Sequence, residues 1–292
     1  GTSTIEFTSS GAYLTGGAKT YNNVIFSDIG GAGSITGGLS YNKAIFNGTG
    51  TLNPNAGTFF TSVDFQQLGN INGNGNFGRA TFVGNGLLNG NNSFDSLIFS
   101  AGKTYSLVYG KTQTINTYSK IDGTCSQPIS IKSDSPGNIT TLSSGASSIT
   151  TNYTRMQDVT ASGGATFTAN NVVNLGNNTG WTLNLAPSQN LYWVGGAGNW
   201  DDANHWSTIS GGAAGTCIPT RYDNVYFDAN SFTVGSKIVT LNVSAECDSM
   251  NWTGATNSPV LTGTLDLNIF GSLTFISAMN NSFSGILNFK ST

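Results

Sequence analysis

The sequence predicts an all-β protein built as a β-solenoid, in which short strands stack coil upon coil. Three observations predict this fold: a six-residue frame that returns at intervals near twenty residues, alternation of apolar residues inside the frame, and Gly- or Asn-rich turns between its copies. The composition agrees, since 37% of the 292 residues are hydrophobic, 9% are charged and 39 are glycine. These apolar residues suffice for a core, whereas strong helix formers are too few to fill long helices.

The repeated frame reads aromatic-x-x-aliphatic-x-Phe. Its first copies are YNNVIF (21–26), YNKAIF (41–46), FTSVDF (60–65), FGRATF (77–82) and FDSLIF (94–99), whose starts lie 20, 19, 17 and 17 residues apart. Later copies are YDNVYF (222–227), FGSLTF (270–275) and the looser CDSMNW (247–252). A period of this length, with two short strands and two turns, is typical of a β-solenoid. A β-sandwich is the main alternative fold, but it would show shorter strand spacing without this repetition.

The frame predicts a stacked aromatic core. Val24 and Phe26 are two residues apart and therefore point to one face of a strand. One coil is too small to bury that face, so neighbouring coils must cover it. The expected core ladder consists of Phe26, Phe46, Phe65, Phe82 and Phe99. Gly and Asn are expected at the corners, where positive φ is needed, and the outward Ile25 and Ile45 have no predicted cover.

Two other frame positions form ladders of their own. The first position carries Tyr21, Tyr41, Phe60, Phe77 and Phe94, which would stack on sugars if exposed or close the core at a corner if buried. The second position carries Asn22, Asn42, Thr61, Gly78 and Asp95, whose polar side chains favour hydrogen bonding along the stack. The sequence favours the structural role for both ladders.

The sequence also predicts two segments of a larger array. The frame changes after residue 100, and LAPSQN (185–190) is a short polar link, so residues 1–186 are expected to end one repeat unit and 187–292 to start the next. The three later copies start at residues 222, 247 and 270, which are 25 and 23 residues apart. If another copy of the chain followed Thr292, Phe275 and the Phe7 of that copy would be 24 residues apart (292 − 275 + 7), which is close to these spacings. We therefore expect a slice of a tandem array, cut inside the solenoid.

Charge and residue usage narrow the function classes. A net charge of −3 without basic patches argues against a nucleic-acid partner. No long apolar run predicts a membrane span, and the first residues do not resemble a signal segment. Carbohydrate-cleaving solenoids need clustered carboxylates, or a carboxylate with Lys or Arg, on one stacked face. No pair of acids recurs in adjacent coils, Asp64 faces away from the core, and Lys43 and Arg79 share a frame position but lie two coils apart. His205 is the single histidine. We expect a non-enzyme without catalytic residues or cofactors.

Two groups of residues remain as candidate sites. In an extracellular setting, Cys217 and Cys247 are expected to pair, the alternative being three reduced buried thiols. In NWDDANHW (199–206), Asp201, Asp202 and Asn204 are weak candidate Ca²⁺ ligands without the rhythm of an EF-hand loop. The favoured interpretation of that stretch is an Asx turn packed between tryptophans, with no metal.

Several stretches resemble one family of large secreted proteins. They are YWVGGAGNWDDANHWS (192–207), CIPTRYDNVYFDANSF (217–232) and AECDSMNW (245–252), together with SFDSLIFSAGKTYSLVYGKTQTI (93–115), GTCSQPISIKS (123–133) and GGATFTANNVVNLGNNTGW (163–181). They resemble modules of the giant repetitive cell-surface adhesins of Bacteroidota, of the SprB-type gliding-motility adhesins. The motifs are fairly specific as a set and cover most of the chain in patches.

The resemblance implies a location, partners and a modification. It implies export by the type IX secretion system, filaments on the outer surface, and contacts with neighbouring repeats of the same chain and with gliding or secretion machinery at the outer membrane. Surface polysaccharide is a further candidate partner. The Asp-Ser-apolar sequences around Ser96 and Ser249 resemble O-glycosylation sites of these bacteria. We therefore expect a structural repeat module of an adhesin filament, the alternative being a carbohydrate-binding or polysaccharide-cleaving solenoid.

Overall fold

The structure, a computed structural model, describes residues 3–17, 19–145 and 148–290 and confirms the predicted all-β solenoid. Its parallel strands form about 14 coils in total, without an α-helix in the described ranges. The chain divides into two compact units, Gly1–Leu185 and Ala186–Thr292. That the second unit begins a new repeat of an array stays a prediction, and the joint expected through Gly1 and Thr292 lies outside the described residues.

The first unit contains twenty strands. They are β1 (Thr4–Phe7), β2 (Ala12–Gly17), β3 (Thr20–Phe26), β4 (Ala32–Gly37), β5 (Ser40–Phe46), β6 (Thr49–Asn53), β7 (Phe59–Phe65), β8 (Gly69–Asn72), β9 (Asn76–Phe82), β10 (Gly86–Asn89), β11 (Asn92–Phe99), β12 (Thr104–Leu107), β13 (Thr112–Asp122), β14 (Ile129–Ser133), β15 (Thr140–Ser144), β16 (Ser148–Asn152), β17 (Thr154–Gln157), β18 (Val159–Gly163), β19 (Thr166–Asn174) and β20 (Thr182–Leu185). The frame copies are the odd-numbered strands β3 to β11, which pair in parallel with β1 before them and β13 after them. The intervening strands β2 to β14 form a second parallel ladder.

The predicted core ladder is confirmed. Phe26, Phe46, Phe65 and Phe82 pair in register from coil to coil, and all are buried. Their ring centroids lie 4.8, 5.2 and 4.7 Å apart in stacked geometry, and the next ring, Phe99, meets Phe82 edge-on at 5.6 Å. Each coil therefore buries its apolar face against its neighbours, as the period predicted.

A ladder of glycines, which was not predicted from the sequence, makes room for these rings. Gly33, Gly50, Gly69 and Gly86 pair in register inside the second ladder of strands, without positive φ. A Cβ atom at Gly50 would meet the rings of Phe46 and Phe65. These glycines therefore lie inside strands, and their missing side chains leave the space that the phenyl rings fill.

The glycine ladder ends where a large ring takes its place. Gly86 pairs with Tyr105, whose ring stacks on Phe99 with centroids 3.7 Å apart. This extra ring coincides with the edge-on contact between Phe99 and Phe82. From the next coils on, the strand pattern also changes, because the 11-residue β13 pairs with both β15 and β16. The change after residue 100 that the sequence indicated therefore corresponds to differently shaped coils.

The second unit contains shorter strands and one 3₁₀ helix. They are β21 (Asn190–Trp193), β22 (Gly198–Asn199), η1 (Ala203–His205), β23 (Trp206–Ser207), β24 (Asn224–Tyr226), β25 (Ile238–Leu241), β26 (Ala245–Cys247), β27 (Met250–Asn251), β28 (Val260–Gly263), β29 (Leu267–Ile269), β30 (Leu273–Thr274), β31 (Asn280–Phe283) and β32 (Leu287–Phe289). Three parallel ladders result: β21-β24-β27-β30, β22-β25-β28-β31 and β26-β29-β32. The antiparallel strand β23 covers the outer edge of β21, so the first coil of this unit carries its own edge strand.

Candidate functional site

An open groove lies on the outer surface of the first coils of unit 1. Its volume is about 590 Å³, and its lining consists of Ser3, Thr20, Tyr21, Asn22, Ser40, Tyr41, Asn42, Phe59 and Thr61. These residues come from the starts of β3, β5 and β7, and from the residue that precedes β1. The groove is therefore built from residues among the first three positions of the successive strands β3, β5 and β7. None of its lining residues carries a charged side chain.

The aromatic ladder at the first frame position closes the core, as the sequence analysis favoured. Tyr41, Phe60, Phe77 and Phe94 are buried, and Tyr21 is half-buried. Consecutive ring centroids are 5.1, 4.6, 5.3 and 5.0 Å apart in stacked geometry. The Tyr41 hydroxyl donates to the carbonyl oxygen of Gly37 at 2.8 Å, which satisfies its polar end inside the core.

Because Tyr41 is buried, the free energy of unfolding is expected to depend on pH in the alkaline range. Burial, reinforced by the charge of Tyr21, raises the pKa of Tyr41 from 10.0 to about 12. Because the folded chain holds this proton more tightly, the contribution is complete below pH 10 and is lost as the pH rises towards about 12. We expect this loss to reach the order of 2 kcal/mol. Urea unfolding midpoints measured between pH 8 and 12 should therefore fall less steeply for Tyr41→Phe than for the unchanged chain.

The matched control for that experiment is Tyr13→Phe. The side chain of Tyr13 is 72% exposed, so its ionisation costs the folded state little. This variant should follow the pH profile of the unchanged chain. Equal profiles for Tyr41→Phe and Tyr13→Phe would show that the buried hydroxyl does not govern alkaline unfolding.

The outward charged residues of the frame form ion pairs along the stack. The Asp64 carboxylate lies 3.8 Å from Lys43 Nζ and 3.5 Å from a guanidinium nitrogen of Arg79. Ile25 and Ile45 occupy the same outward position as Asp64 in the two preceding coils. Their side chains are only half-exposed, because neighbouring coils flank them on both sides. Exposed pairs of this kind contribute little stability, and they arrange the outer face without bringing two acids together.

The acidic segment before Trp206 forms a structural turn. The Asp202 carboxylate accepts from the backbone N–H of Asn204 at 2.9 Å and caps η1, while Asp201 accepts from the side-chain amide of Asn242 at 2.6 Å. Asp202 also lies 4.0 Å from His205 Nε2. Within the described ranges, no group of three or more His, Cys, Asp or Glu side chains could hold a metal ion.

Tryptophans pack around this turn, as the sequence analysis favoured. Trp193 and Trp206 meet edge-on with ring centroids 5.0 Å apart, and Trp200 meets Trp206 in the same way at 5.0 Å. The ring of His205 stacks on Trp193 at 4.8 Å, and its Nδ1 lies 2.9 Å from the carbonyl oxygen of Val194. The single histidine of the chain is therefore part of the packing of unit 2.

The predicted pairing of Cys217 with Cys247 is wrong. Cys247 is a free cysteine and is fully buried. It lies in β26 and pairs in register with Ile269 of the next coil, which is also buried. The disulfide-bonded cysteines are Cys125 and Cys217. The error has a physical reason: Cys247 occupies an inward position of a strand, so its side chain packs in the core.

Chemical modification should separate the two kinds of cysteine. Burial, together with the nearby acids Asp248, Glu246 and Asp223, raises the pKa of the Cys247 thiol, and the thiolate is the reactive form. We expect iodoacetamide to leave the folded chain unmodified and to alkylate only Cys247 in denaturant without reductant, as read by peptide mass spectrometry. All three cysteines should react after reduction, which is the positive control. Alkylation of Cys217 without reductant would contradict this assignment.

A buried acidic cluster in unit 2 was not found by sequence reasoning. The Asp223 carboxylate accepts from the backbone N–H groups of Gln189 and Thr220, both at 2.8 Å, and from the Thr220 hydroxyl at 2.7 Å. Burial nevertheless raises the pKa of Asp223. Glu246 pairs with Arg221 at 3.5 Å. These contacts fasten the turn before β24 to the first coil; the sequence signal was the turn-forming Thr-x-x-Asp spacing at 220–223.

The two serines predicted to carry glycans differ in their surroundings. The Ser249 hydroxyl donates to Asp248 at 3.3 Å and accepts from the backbone N–H of Ser272 at 3.1 Å. Ser96 is half-buried beside the exposed Asp95, and its hydroxyl makes no hydrogen bond to the described residues. O-glycosylation stays a prediction at both positions, and the geometry favours Ser96.

Mass spectrometry of the protein from its native cells tests this modification. We expect a glycan mass on the peptide that contains Ser96 at higher occupancy than on the peptide that contains Ser249, because only the second hydroxyl is held by local hydrogen bonds. Ser96→Ala should abolish the first adduct and leave the second unchanged. Unmodified peptides at both positions would contradict the prediction.

Comparison with known proteins adds no assignment. No family model, curated protein or solved structure matches this chain. In the described ranges, none of the helical structure has the length and apolar character needed to span a lipid bilayer.

Proposed function

We propose that this chain is a structural repeat module of a long, secreted cell-surface adhesin filament, used in surface adhesion and gliding motility. The observation that carries the proposal is the in-register stacking of the coils. From β1 to β13, each frame strand pairs with the next. Aromatic residues cover those of the neighbouring coil as far as β11, and Ile115 and Ile121 of β13 cover Phe94 and Phe99. Such an arrangement lengthens by adding coils with the same contacts, which suits a filament.

The last coil of unit 2 supports the proposal. Leu287 and Phe289 continue the ladders of Leu267 and Ile269. The two earlier residues are 1% and 0% exposed, whereas Leu287 and Phe289 are 37% and 65% exposed. A further coil stacked on β32 would bury these side chains as β32 buries those of β29. Neighbouring repeats of the same chain are therefore the proposed partners of this face, together with gliding or secretion machinery elsewhere on the filament.

Two further features favour an extracellular location. Cys125 and Cys217 are disulfide-bonded, and disulfides persist mainly in oxidising compartments. With 9% charged residues, the outer ladders rely on Asn, Ser and Thr, as in the hydrogen bonds from Asn42 to Asn23 at 3.4 Å and from Ser40 to Thr20 at 3.1 Å. An outer-membrane-associated filament is the proposed setting.

The proposed role is not catalytic. On the frame face, Asp64 is held between Lys43 and Arg79, and Asp95 accepts from the side-chain amide of Asn116 at 3.0 Å. These acids have basic or amide partners and do not pair with each other, which is unlike the two carboxylates of a glycoside hydrolase. Asp64 with Lys43 and Arg79 is the other grouping that a cleaving solenoid could use, and we propose that it is a structural ion pair. The alternative function that a specific observation favours is carbohydrate binding, through the groove on unit 1.

Electron microscopy of the intact parent protein, on and off the cell, tests the proposal. We expect long filaments whose axial repeat matches one such unit, because stacked coils extend along a single axis. The matched comparison is the same sample after limited proteolysis, which should shorten filaments in steps of the repeat. Short globular particles would contradict the filament role and would favour a self-contained carbohydrate-binding domain.

A further inference from the structure

We propose that the groove on unit 1 binds a neutral, linear glycan. This inference goes beyond the proposed filament, because it names what one surface of the chain would grip. It holds equally for a filament module and for a self-contained domain, so the two proposals fail separately. The walls of the groove, its chemistry and its direction support such a ligand.

Two outward ladders form the walls of the groove. Thr20, Ser40 and Phe59 pair in register at the starts of β3, β5 and β7. Two residues further along each strand lie Asn22, Asn42 and Thr61, which also line the groove. The side chains between the ladders belong to the inward aromatic positions, so the floor is the backbone above the core. The volume of about 590 Å³ is in the range of ligand sites.

The walls present hydrogen-bonding groups without charge. The side chains of Asn22 and Thr61 make no hydrogen bond to the described residues, so their amide and hydroxyl groups are open to a ligand. Ser40 donates to Thr20, and Asn42 donates to Asn23, which orients these side chains and leaves further donor and acceptor capacity. Sugar hydroxyl groups both donate and accept, so they match this lining, whereas phosphates or uronates would find no cation in it.

Aromatic surface complements these polar groups. Phe59 is 40% exposed in the wall, although Phe60, the next residue, is fully buried. The ring of Tyr21 belongs to the inward ladder instead: it stacks on Tyr41, and its hydroxyl donates to the Gly16 carbonyl oxygen at 3.0 Å. Aromatic faces bind the apolar faces of sugar rings, and the Phe59 ring stands beside the polar side chains of the wall.

The direction of the groove selects an extended ligand. Neighbouring coils are about 4.8 Å apart, close to the advance of one sugar residue in an extended glycan. Each sugar residue of a bound chain would therefore meet the same position of the wall, which is occupied by Asn22, Asn42 and Thr61 in successive coils. A linear chain of several residues would repeat its contacts from coil to coil, whereas a monosaccharide would use only one set.

Calorimetric titration of the folded chain tests the inference. The ligands are the neutral linear hexasaccharides cellohexaose, laminarihexaose, maltohexaose, mannohexaose and xylohexaose, with hexagalacturonate as the charged comparison and glucose as the short one. We expect saturable binding of at least one neutral hexasaccharide, and weaker binding of glucose and hexagalacturonate. Asn42→Ala and Phe59→Ala should each weaken the strongest interaction by about fivefold or more.

The matched control is Asn53→Ala. Asn53 also belongs to an outward ladder and donates to Thr36 at 3.2 Å, but it lies on β6, outside the groove lining. This variant should bind like the unchanged chain, and circular dichroism should show that all three variants are folded. If none of the neutral hexasaccharides binds, the inference is overturned. Equal losses of affinity for Asn42→Ala and Asn53→Ala would also overturn it.

Discussion

Phe65→Ala is expected to lower the free energy of unfolding of unit 1 by about 3–5 kcal/mol. The Phe65 ring is fully buried between Phe46 and Phe82, with centroids 5.2 and 4.7 Å away. Gly50 and Gly69 approach the same ring and have no side chains that could move into the vacated space. The variant therefore loses both the buried phenyl group and the contacts around it, because the cavity cannot collapse.

The same strand supplies a control with identical chemistry. Phe59 lies six residues earlier in β7 but is 40% exposed. Phe59→Ala should cost less than about 1 kcal/mol, as most surface substitutions do. Urea unfolding of both variants, followed by circular dichroism, measures the difference. Similar losses for the two substitutions would show that the stacked rings do not carry the stability of this unit.

The repeat period and the frame were sufficient to predict the core. The spacing of Phe26, Phe46 and Phe65 placed these rings in one ladder, and alternation placed Val24 beside them. A second alternation of inward residues was present in the sequence, but its glycines were assigned to turns. Gly50 stands two residues before Leu52, and Gly69 stands two residues before Ile71, so each glycine faces the same side of its strand as the apolar residue. Because glycine is common in turns, its inward place within a strand is recognised only when the opposite ring is known.

Long-range pairing of polar and sulfur groups was harder to predict. The pairing of Cys217 depends on which cysteines point out of the core, and Cys247 follows the inward positions of Ala245 in β26. The local spacing of cysteines carries no such information. The groove likewise requires three coils in register, because residues such as Asn22 and Thr61 become neighbours only through stacking.

Deleting one whole coil is expected to leave a folded solenoid. Residues 66–82 span 17 residues, the distance between the paired Phe65 and Phe82. Their removal joins Phe65 to Val83 and places Gly86 where Gly69 stood, four residues after Phe65 in either chain. Strand β10 would then pair with β6, and β11 with β7, in the register they now use with β8 and β9. The loss should be limited to the contacts of one repeat.

Deleting only residues 66–73 is the matched comparison, and it should be far more damaging although it removes fewer residues. It eliminates β8 and draws β9 into the place of a strand with different inward positions, so Phe77 and Phe82 lose their partners. Circular dichroism and thermal unfolding should show that unit 1 keeps its cooperative transition in the 17-residue deletion and loses it in the shorter one. A folded product from the partial deletion, or loss of structure from both, would contradict the coil as the unit of this fold. Because stacking joins each coil only to its neighbours, the number of coils can change while the register cannot.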